Sequence, residues 1–203
     1  ITPGRLLHSE STETTHYSVA DRFGNVVSNT YTLNFSFGSN IVVPGTGMLL
    51  NNEMADFATS PGSANAFGLV QGEANKIEPG KRPLSSMSPT IVFRDGKPWL
   101  ATGSPGGSRI ITTVLQTLLN AMAFDMNVAA AGMNSRIHHQ WLPDEILAES
   151  GISPDTVNLL QQKGHKVVLG GQTIGRTQSI MLEDGWLLGA TDTRRPEGWV
   201  AGY

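Results

Sequence analysis

Polar and apolar residues alternate over Thr15–Asp21 and again over Val26–Thr32, on either side of Arg22-Phe23-Gly24-Asn25. The pattern predicts a β-hairpin whose first strand starts just after Thr14. From Gly38 to Gly80 the periodicity fades into Gly, Pro, Asn and Ser, which predicts long loops with one short helix at Asn51–Phe57. Loops of this length usually carry function. A second hairpin is expected at Thr90–Phe93 and Trp99–Thr102 around Asp95-Gly96, followed by an amphipathic helix over Ser108–Phe124. That helix gathers Ile110, Ile111, Val114, Leu115, Leu118 and Met122 on one side. Ser153-Pro154-Asp155 opens a helix that Gly164 closes, with an N-cap serine and proline at the first helical position. Strands follow at Lys166–Leu169, Thr177–Leu182 and Trp186–Thr191, the last two joined across Asp184-Gly185. Without a repeat or linker to divide it, the chain reads as one α+β domain of sheet and helix layers.

Composition narrows the chemistry more than the fold. The chain has 203 residues, 39% of them hydrophobic and 15% charged, ordinary usage for a folded chain with a substantial core. A net charge of −3, with its Lys and Arg scattered, offers no field for nucleic acid. The absence of cysteine excludes disulfides, thiolate metal sites and a cysteine nucleophile. No apolar run approaches the roughly 20 residues a membrane span needs. The first residues, Ile1–Glu13, lack the basic and apolar succession of a signal peptide and read as the middle of a longer chain.

Several segments could carry chemistry, each beside a plainer reading. Thr14 heads the first strand, where a Thr-Thr pair is ordinary β-favouring sequence. Were the Glu13–Thr14 bond cut, Thr14 would hold both a hydroxyl nucleophile and, in its own α-amine, a base of pKa about 7.7–8.0. Gly103-Ser104-Pro105-Gly106-Gly107-Ser108 links a strand to a helix, so its backbone N–H groups suit an anion. A phosphate cradle would want a Lys-Ser/Thr pair after the glycines. That pair is missing, so an oxyanion hole ranks first, with a tight turn as the plain alternative. In Pro83-Leu84-Ser85-Ser86-Met87-Ser88-Pro89 the hydroxyls suit a carboxylate, though serines between prolines usually form turns. Glu53 and Asp56 share a face if helical and suit an ammonium group, or make a solvated acidic surface. His138-His139 with Asp144 and Glu145 lacks metal-ligand spacing and reads as structural; neither metal nor cofactor is expected.

Together, Thr14-Thr15-His16-Tyr17-Ser18-Val19, Thr30-Tyr31-Thr32-Leu33-Asn34, Leu50-Asn51-Asn52-Glu53-Met54, Lys81–Pro89 and Gly103–Arg109 closely resemble the small subunit of γ-glutamyltransferases. The likeness runs from Thr14 to Ala201-Gly202-Tyr203. It implies an N-terminal-nucleophile hydrolase fold, an αββα sandwich in which this chain supplies part of the layers and a large subunit the rest. It also implies autocatalytic cleavage between Glu13 and Thr14, so that residues 1–13 are leader and residues 14–203 a single-domain catalytic small subunit. By that resemblance Thr14 is the nucleophile, Thr32 orients its hydroxyl, and Gly106 and Gly107 bind the oxyanion. Ser85 and Ser86 hold the donor's α-carboxylate, while Asn34, Glu53 and Asp56 hold its α-ammonium. The implied reaction is hydrolysis or transfer of γ-glutamyl groups from donors such as glutathione to water, amino acids or peptides. The implied location is periplasmic or secreted.

The alternatives are a dormant unprocessed precursor or a relative that cleaves glutaryl amides of cephalosporins, a donor lacking the ammonium that Asp56 would meet. Pro61–Gly72 matches the family's lid loop, with Phe67 where many bacterial members have tyrosine. Glu53 replaces a glutamine of some relatives, and Met133-Asn134-Ser135-Arg136 lacks a proline common before that arginine. The donor-carboxylate arginine of the family lies in the large subunit, so this chain alone is expected to be inactive and poorly soluble.

Overall fold

The structure, a computed structural model, describes residues 14–194 and 198–202. The expected leader Ile1–Glu13, its junction with Thr14, and Tyr203 lie outside the described residues. Turn chemistry closes the first hairpin as expected: β1 (Thr15–Ala20) pairs antiparallel with β2 (Val26–Tyr31), Thr15 opposite Tyr31. Asp21 Oδ1 accepts from the N–H groups of Phe23 (2.8 Å) and Asn25 (2.9 Å), and Gly24 takes φ +87°. Residues 38–80 are mostly loop. The helix expected at Asn51–Phe57 is a single 3-10 turn, Glu53–Asp56, because its backbone is spliced at both ends to other segments rather than continued. Asn52 N–H donates to Leu33 O (3.1 Å) and Ala58 N–H to Asn75 O (2.9 Å).

β3 (Thr90–Arg94) and β4 (Lys97–Thr102) turn at Asp95-Gly96, both at positive φ, the conformation a two-residue hairpin requires. A 3-10 turn, Gly107–Arg109, leads into α1 (Ile110–Met122), followed by α2 (Val128–Met133) capped by the Asn127 side chain. Then come β5 (Ile137–His138), β6 (Ile146–Glu149), and α3 (Pro154–Gln162), whose Ser153 cap accepts from Thr156 N–H at 3.2 Å. β7 (Val167–Gly170), β8 (Gln178–Glu183) and β9 (Trp186–Thr191) complete the order. α2, β5 and β6 were not anticipated from the sequence.

The central layer is a four-stranded antiparallel sheet in the order β3-β4-β8-β9; β5-β6-β7 form a smaller sheet in which β6 and β7 run parallel. A core of Trp99, Leu100, Ala121, Val128, Ala131 and Met181 joins the central sheet to α1 and α2. The β1–β2 hairpin contacts the same sheet through polar groups. Ser18 Oγ donates to Gln178 O and Ser28 Oγ to Thr102 O, both at 3.0 Å.

The face α1 turns inward differs from the expected one. Ile110, Thr113, Val114, Thr117 and Ala121 are buried, whereas Ile111, Leu115, Leu119 and Met122 are about half exposed. Thr117 pays no polar penalty there, since its hydroxyl donates to Thr113 O at 2.9 Å. The apolar positions i, i+4, i+8 and i+11 therefore form an outward stripe. The hairpin has a comparable outer face, with Tyr17, Val19, Val27 and Tyr31 each 48–61% exposed.

Candidate active site

Thr14 immediately precedes β1 and is only 4% exposed. Its Oγ1 donates to Thr32 Oγ1 at 3.2 Å, and that oxygen also accepts from Asn34 N–H at 2.9 Å. The hairpin register brings Thr14 and Thr32 together, because each lies one residue beyond the paired Thr15 and Tyr31. Asn34 takes φ +74°, a left-handed conformation asparagine tolerates, and its Nδ2 donates to Asn52 O at 3.2 Å. The strand end is thereby stitched to the turn bearing Glu53 and Asp56.

In that 3-10 turn residues three apart eclipse, which puts the two carboxyl groups side by side. Burial, then the hydrogen bond and charge of Asp56, push Glu53 up to about 7. Burial likewise raises Asp56, against the opposing hydrogen bond from Glu53. Two carboxyl groups so close favour a bound cation as their partner. Asn75 fixes this region: its Nδ2 donates to Asp56 O (2.7 Å) and Gln71 Oε1 (2.5 Å), and its Oδ1 accepts from Leu84 N–H (3.0 Å). One side chain so joins the carboxyl turn, the 60s loop and the Ser85-Ser86 segment.

The glycine loop is held from behind. Gly103 O accepts from Gln178 N–H at 3.1 Å; Ser104 Oγ donates to Pro105 O at 2.6 Å and accepts from Arg176 N–H at 2.7 Å. Gly106 (φ +136°) and Gly107 (φ +54°) take conformations that side chains disfavour. A Cβ on Gly107 would stand 3.0 Å from Phe67 Cδ1, so the Phe67 ring lies against this glycine. Phe67 also meets the Phe35 ring, centroids 5.9 Å apart.

Thr14, Thr32, Asn34, Glu53, Asp56, Phe67, Ser85, Ser86 and Gly107 all line one cavity, about 450 Å³ of free space counting its open mouth. Gly106 is buried but does not line it. Ser85 is exposed and Ser86 half-buried on the wall. The sequence reading missed Asn65, Leu69, Gln71, Leu84, Met87, Ser108 and Ile110 on the same wall. Only Asn65, ahead of Gly68, left a local signal: its Oδ1 accepts from Phe67 and Leu69 N–H, both at 3.0 Å, shaping this loop. Such a cavity can seat a small zwitterion, with carboxyl groups at one place, hydroxyls at another and a paired hydroxyl between.

His138 and His139 lie outside this wall. His138 is buried, its ring bonded to Thr112 Oγ1 (2.8 Å) and Gln140 Oε1 (3.0 Å); His139 pairs with the exposed Asp144 at 3.1 Å. Among the described residues no three His, Cys, Asp or Glu side chains are grouped to hold a metal. Nor is any described helix long and apolar enough to cross a membrane. Arg136, despite lacking the preceding proline, is fully buried between Asp192 (3.0 Å) and the carbonyls of Ile174 and Gly132.

Residues 5–202 match the family model described as gamma-glutamyltranspeptidase. The chain is 58% identical over 204 residues to the glutathione hydrolase proenzyme of Escherichia coli K12, covering all of this chain and 35% of that relative. It thus spans about a third of the length of the curated relatives it matches. A solved chain of a mutant Helicobacter pylori gamma-glutamyltranspeptidase superposes with TM-score 0.84 at 49% identity, covering 89% of this chain and 100% of that one. A cephalosporin acylase from Bacillus halodurans gives TM-score 0.74 at 27% identity, over 87% of this chain and 32% of that one. The fold is that of the N-terminal-nucleophile hydrolases, as the resemblance implied.

Proposed function

The chain belongs to the γ-glutamyltranspeptidase family, and on that premise we propose that it is the catalytic part of an enzyme that hydrolyses or transfers γ-glutamyl groups of glutathione and related amides. In this reading residues 14–203 form a small subunit, freed from residues 1–13 when Thr14 Oγ attacks the Glu13 carbonyl and water hydrolyses the resulting ester. The new α-amine then takes the Thr14 hydroxyl proton while Oγ attacks the donor's γ-carbonyl. The leaving amine departs with a proton, and water or an acceptor amine attacks the γ-glutamyl ester. Thr32 Oγ1, 3.2 Å away, orients the attacking oxygen. The N–H groups of Gly106 and Gly107 hold the oxyanion, worth about 3–4 kcal/mol per donor in comparable sites. Ser85 and Ser86 receive the α-carboxylate; Asn34, Glu53 and Asp56 receive the α-ammonium, and Phe67 covers the pocket.

The observation that carries this reading is the meeting of the hydrogen-bonded Thr14–Thr32 hydroxyl pair with the adjacent Glu53 and Asp56 carboxyl groups in one cavity. The same carboxyl pair disfavours a glutaryl-amide acylase, whose donor brings no cation to it. Asp56→Asn should lose glutathione turnover far more than glutaryl-amide turnover; equal losses would refute its role. The outward stripe on α1 and the outer hairpin face suit a large-subunit partner from the same precursor. A periplasmic or secreted location belongs to the same proposal.

The test is to express the full-length precursor and assay a chromogenic γ-glutamyl anilide with and without an acceptor dipeptide. Intact mass should show a chain starting at Thr14. Thr14→Ala should leave the precursor whole and inactive, and retained turnover in that variant would end the proposal. An unbroken wild-type chain would favour the dormant form instead.

A further inference from the structure

Gln140 lies outside the cavity wall yet touches both things that close it. Its Nε2 donates to Phe67 O (3.4 Å) and Leu142 O (3.2 Å); its Oε1 accepts from Ser108 Oγ (2.9 Å) and faces His138 Nε2 (3.0 Å). These partners settle the orientation of the amide. Two carbonyls can be met only by the NH2 end, so the oxygen must face Ser108 and His138. His138 then carries its proton on Nε2, and its Nδ1 faces the Thr112 hydroxyl at 2.8 Å, whose one proton is shared between that nitrogen and Arg109 O at 3.1 Å. Burial, which lowers the His138 pKa, keeps the ring neutral in this role. Thr112, His138 and Gln140 thus form a relay from α1 to the lid.

The two ends of the Gln140 amide grip residues on either side of one point. Phe67 is the lid residue whose ring lies against Gly107, and Ser108 is the next residue after Gly107 in the chain. Resting on the proposed function, we infer that Gln140 is a positioning residue, a latch that fastens the lid to the oxyanion loop so that the closed lid and a correctly placed Gly107 N–H occur together. Phe67 has no hydroxyl with which to tie the lid down from its tip. The tie is made to its main chain instead, and a bond to a carbonyl is indifferent to which side chain occupies position 67.

Two variants in the full-length, processed protein separate this from a folding role. Gln140→Glu keeps the oxygen that faces Ser108 and His138 but replaces the donor to the Phe67 and Leu142 carbonyls with an acceptor. Gln140→Leu removes both ends. Amide hydrogen exchange in the empty protein should quicken about tenfold over residues 61–72 in both variants, with the amides of β3, β4 and β8 unchanged. On the γ-glutamyl anilide, Gln140→Glu should raise KM about threefold to tenfold at nearly constant kcat, while Gln140→Leu should also lower kcat. Unchanged exchange in the lid would overturn the latch. Exchange rising equally in lid and sheet would make Gln140 an ordinary structural residue. The exchange measurement needs no substrate, so an inactive wild type would sink the proposed function while leaving this test standing.

Discussion

The ring of His16 occupies the space in which a side chain on Gly103 would have to begin: a Cβ there would stand 2.2 Å from Cε1, 2.4 Å from Nδ1 and 2.7 Å from Nε2. The contact joins the strand that follows Thr14 to the loop that continues into Gly106 and Gly107, the residues proposed as nucleophile and oxyanion donors. The ring is not free to swing aside, since Nδ1 is bonded to Thr30 Oγ1 (2.8 Å) and Nε2 to Ser18 Oγ (3.2 Å). Burial holds it neutral, its pKa lowered to about 4.

Gly103→Ala should therefore destabilise the assembled protein by about 1–3 kcal/mol, the usual range for overpacking, and reduce kcat more than it raises KM. Thermal melts and steady-state kinetics check both. His16→Ala placed in the same protein should recover part of each loss, so that the double variant is better than the sum of the two single changes. Strict additivity would mean that the two residues do not meet.

The raised pKa of Glu53, buried beside Asp56, sets the sign of a pH dependence. The folded-state pKa of Glu53, about 7, lies above its ordinary carboxyl value of 4.5. Its contribution to stability is full below that ordinary value and is lost as the pH rises through 7. Glu53→Gln should hence raise Tm at pH 8 and leave it nearly unchanged at pH 4. On the proposed function a cationic donor binds best when the proton has left, so KM in the wild-type enzyme should fall between pH 6 and 8. In Glu53→Gln that slope should flatten, and a slope that persists would assign the titration elsewhere.

Thr32→Val removes the acceptor for both the Thr14 hydroxyl and Asn34 N–H while keeping the shape of the side chain. Turnover should drop roughly a hundredfold, the scale of a misaligned reacting atom. Thr32→Ser should restore most of it. Single-turnover kinetics would locate the loss in formation of the ester.

Leu115→Asp falls in the middle of the outward stripe on α1, where Leu115 is 52% exposed. It should leave the melting of this chain alone within about 0.5 kcal/mol, as for an ordinary surface change. If the proposed large-subunit partner covers this stripe, yield of the two-subunit protein should fall severalfold on co-purification. Equal yields would place the partner on another face.

Local chemistry made some of this legible in the sequence and tertiary context hid the rest. Asp95-Gly96 and Asp184-Gly185 announce hairpins because two-residue turns demand positive φ, and Ser153-Pro154 announces a helix start by capping. The six residues of α2 and the two of β5 are too short to show a period, and β6 pairs in parallel with β7 across a helix. On α1 periodicity misled. Thr117 is buried because its hydroxyl is satisfied within the helix by Thr113 O, and Thr113 is buried beside it, while Ile111, Leu115 and Leu119 are held outward. Most of the wall residues were readable as a group, from Thr14 to Gly107. Asn75 and Gln140, which brace that wall from outside it, were not, because a side chain that joins separate loops leaves no mark near itself.

The hairpin and α1 also bear on how such a protein is made. Strands with hydroxyls inward and tyrosine and valine outward invite sticking to any neighbour, and the hazard is greatest while the polypeptide is young. A cover tied to the same backbone arrives at an effective concentration in the millimolar range, ahead of strangers in a crowded cell. If the proposed partner is made in one piece with this chain, with scission delayed until the greasy surfaces are shielded, a race between chains becomes an event within one.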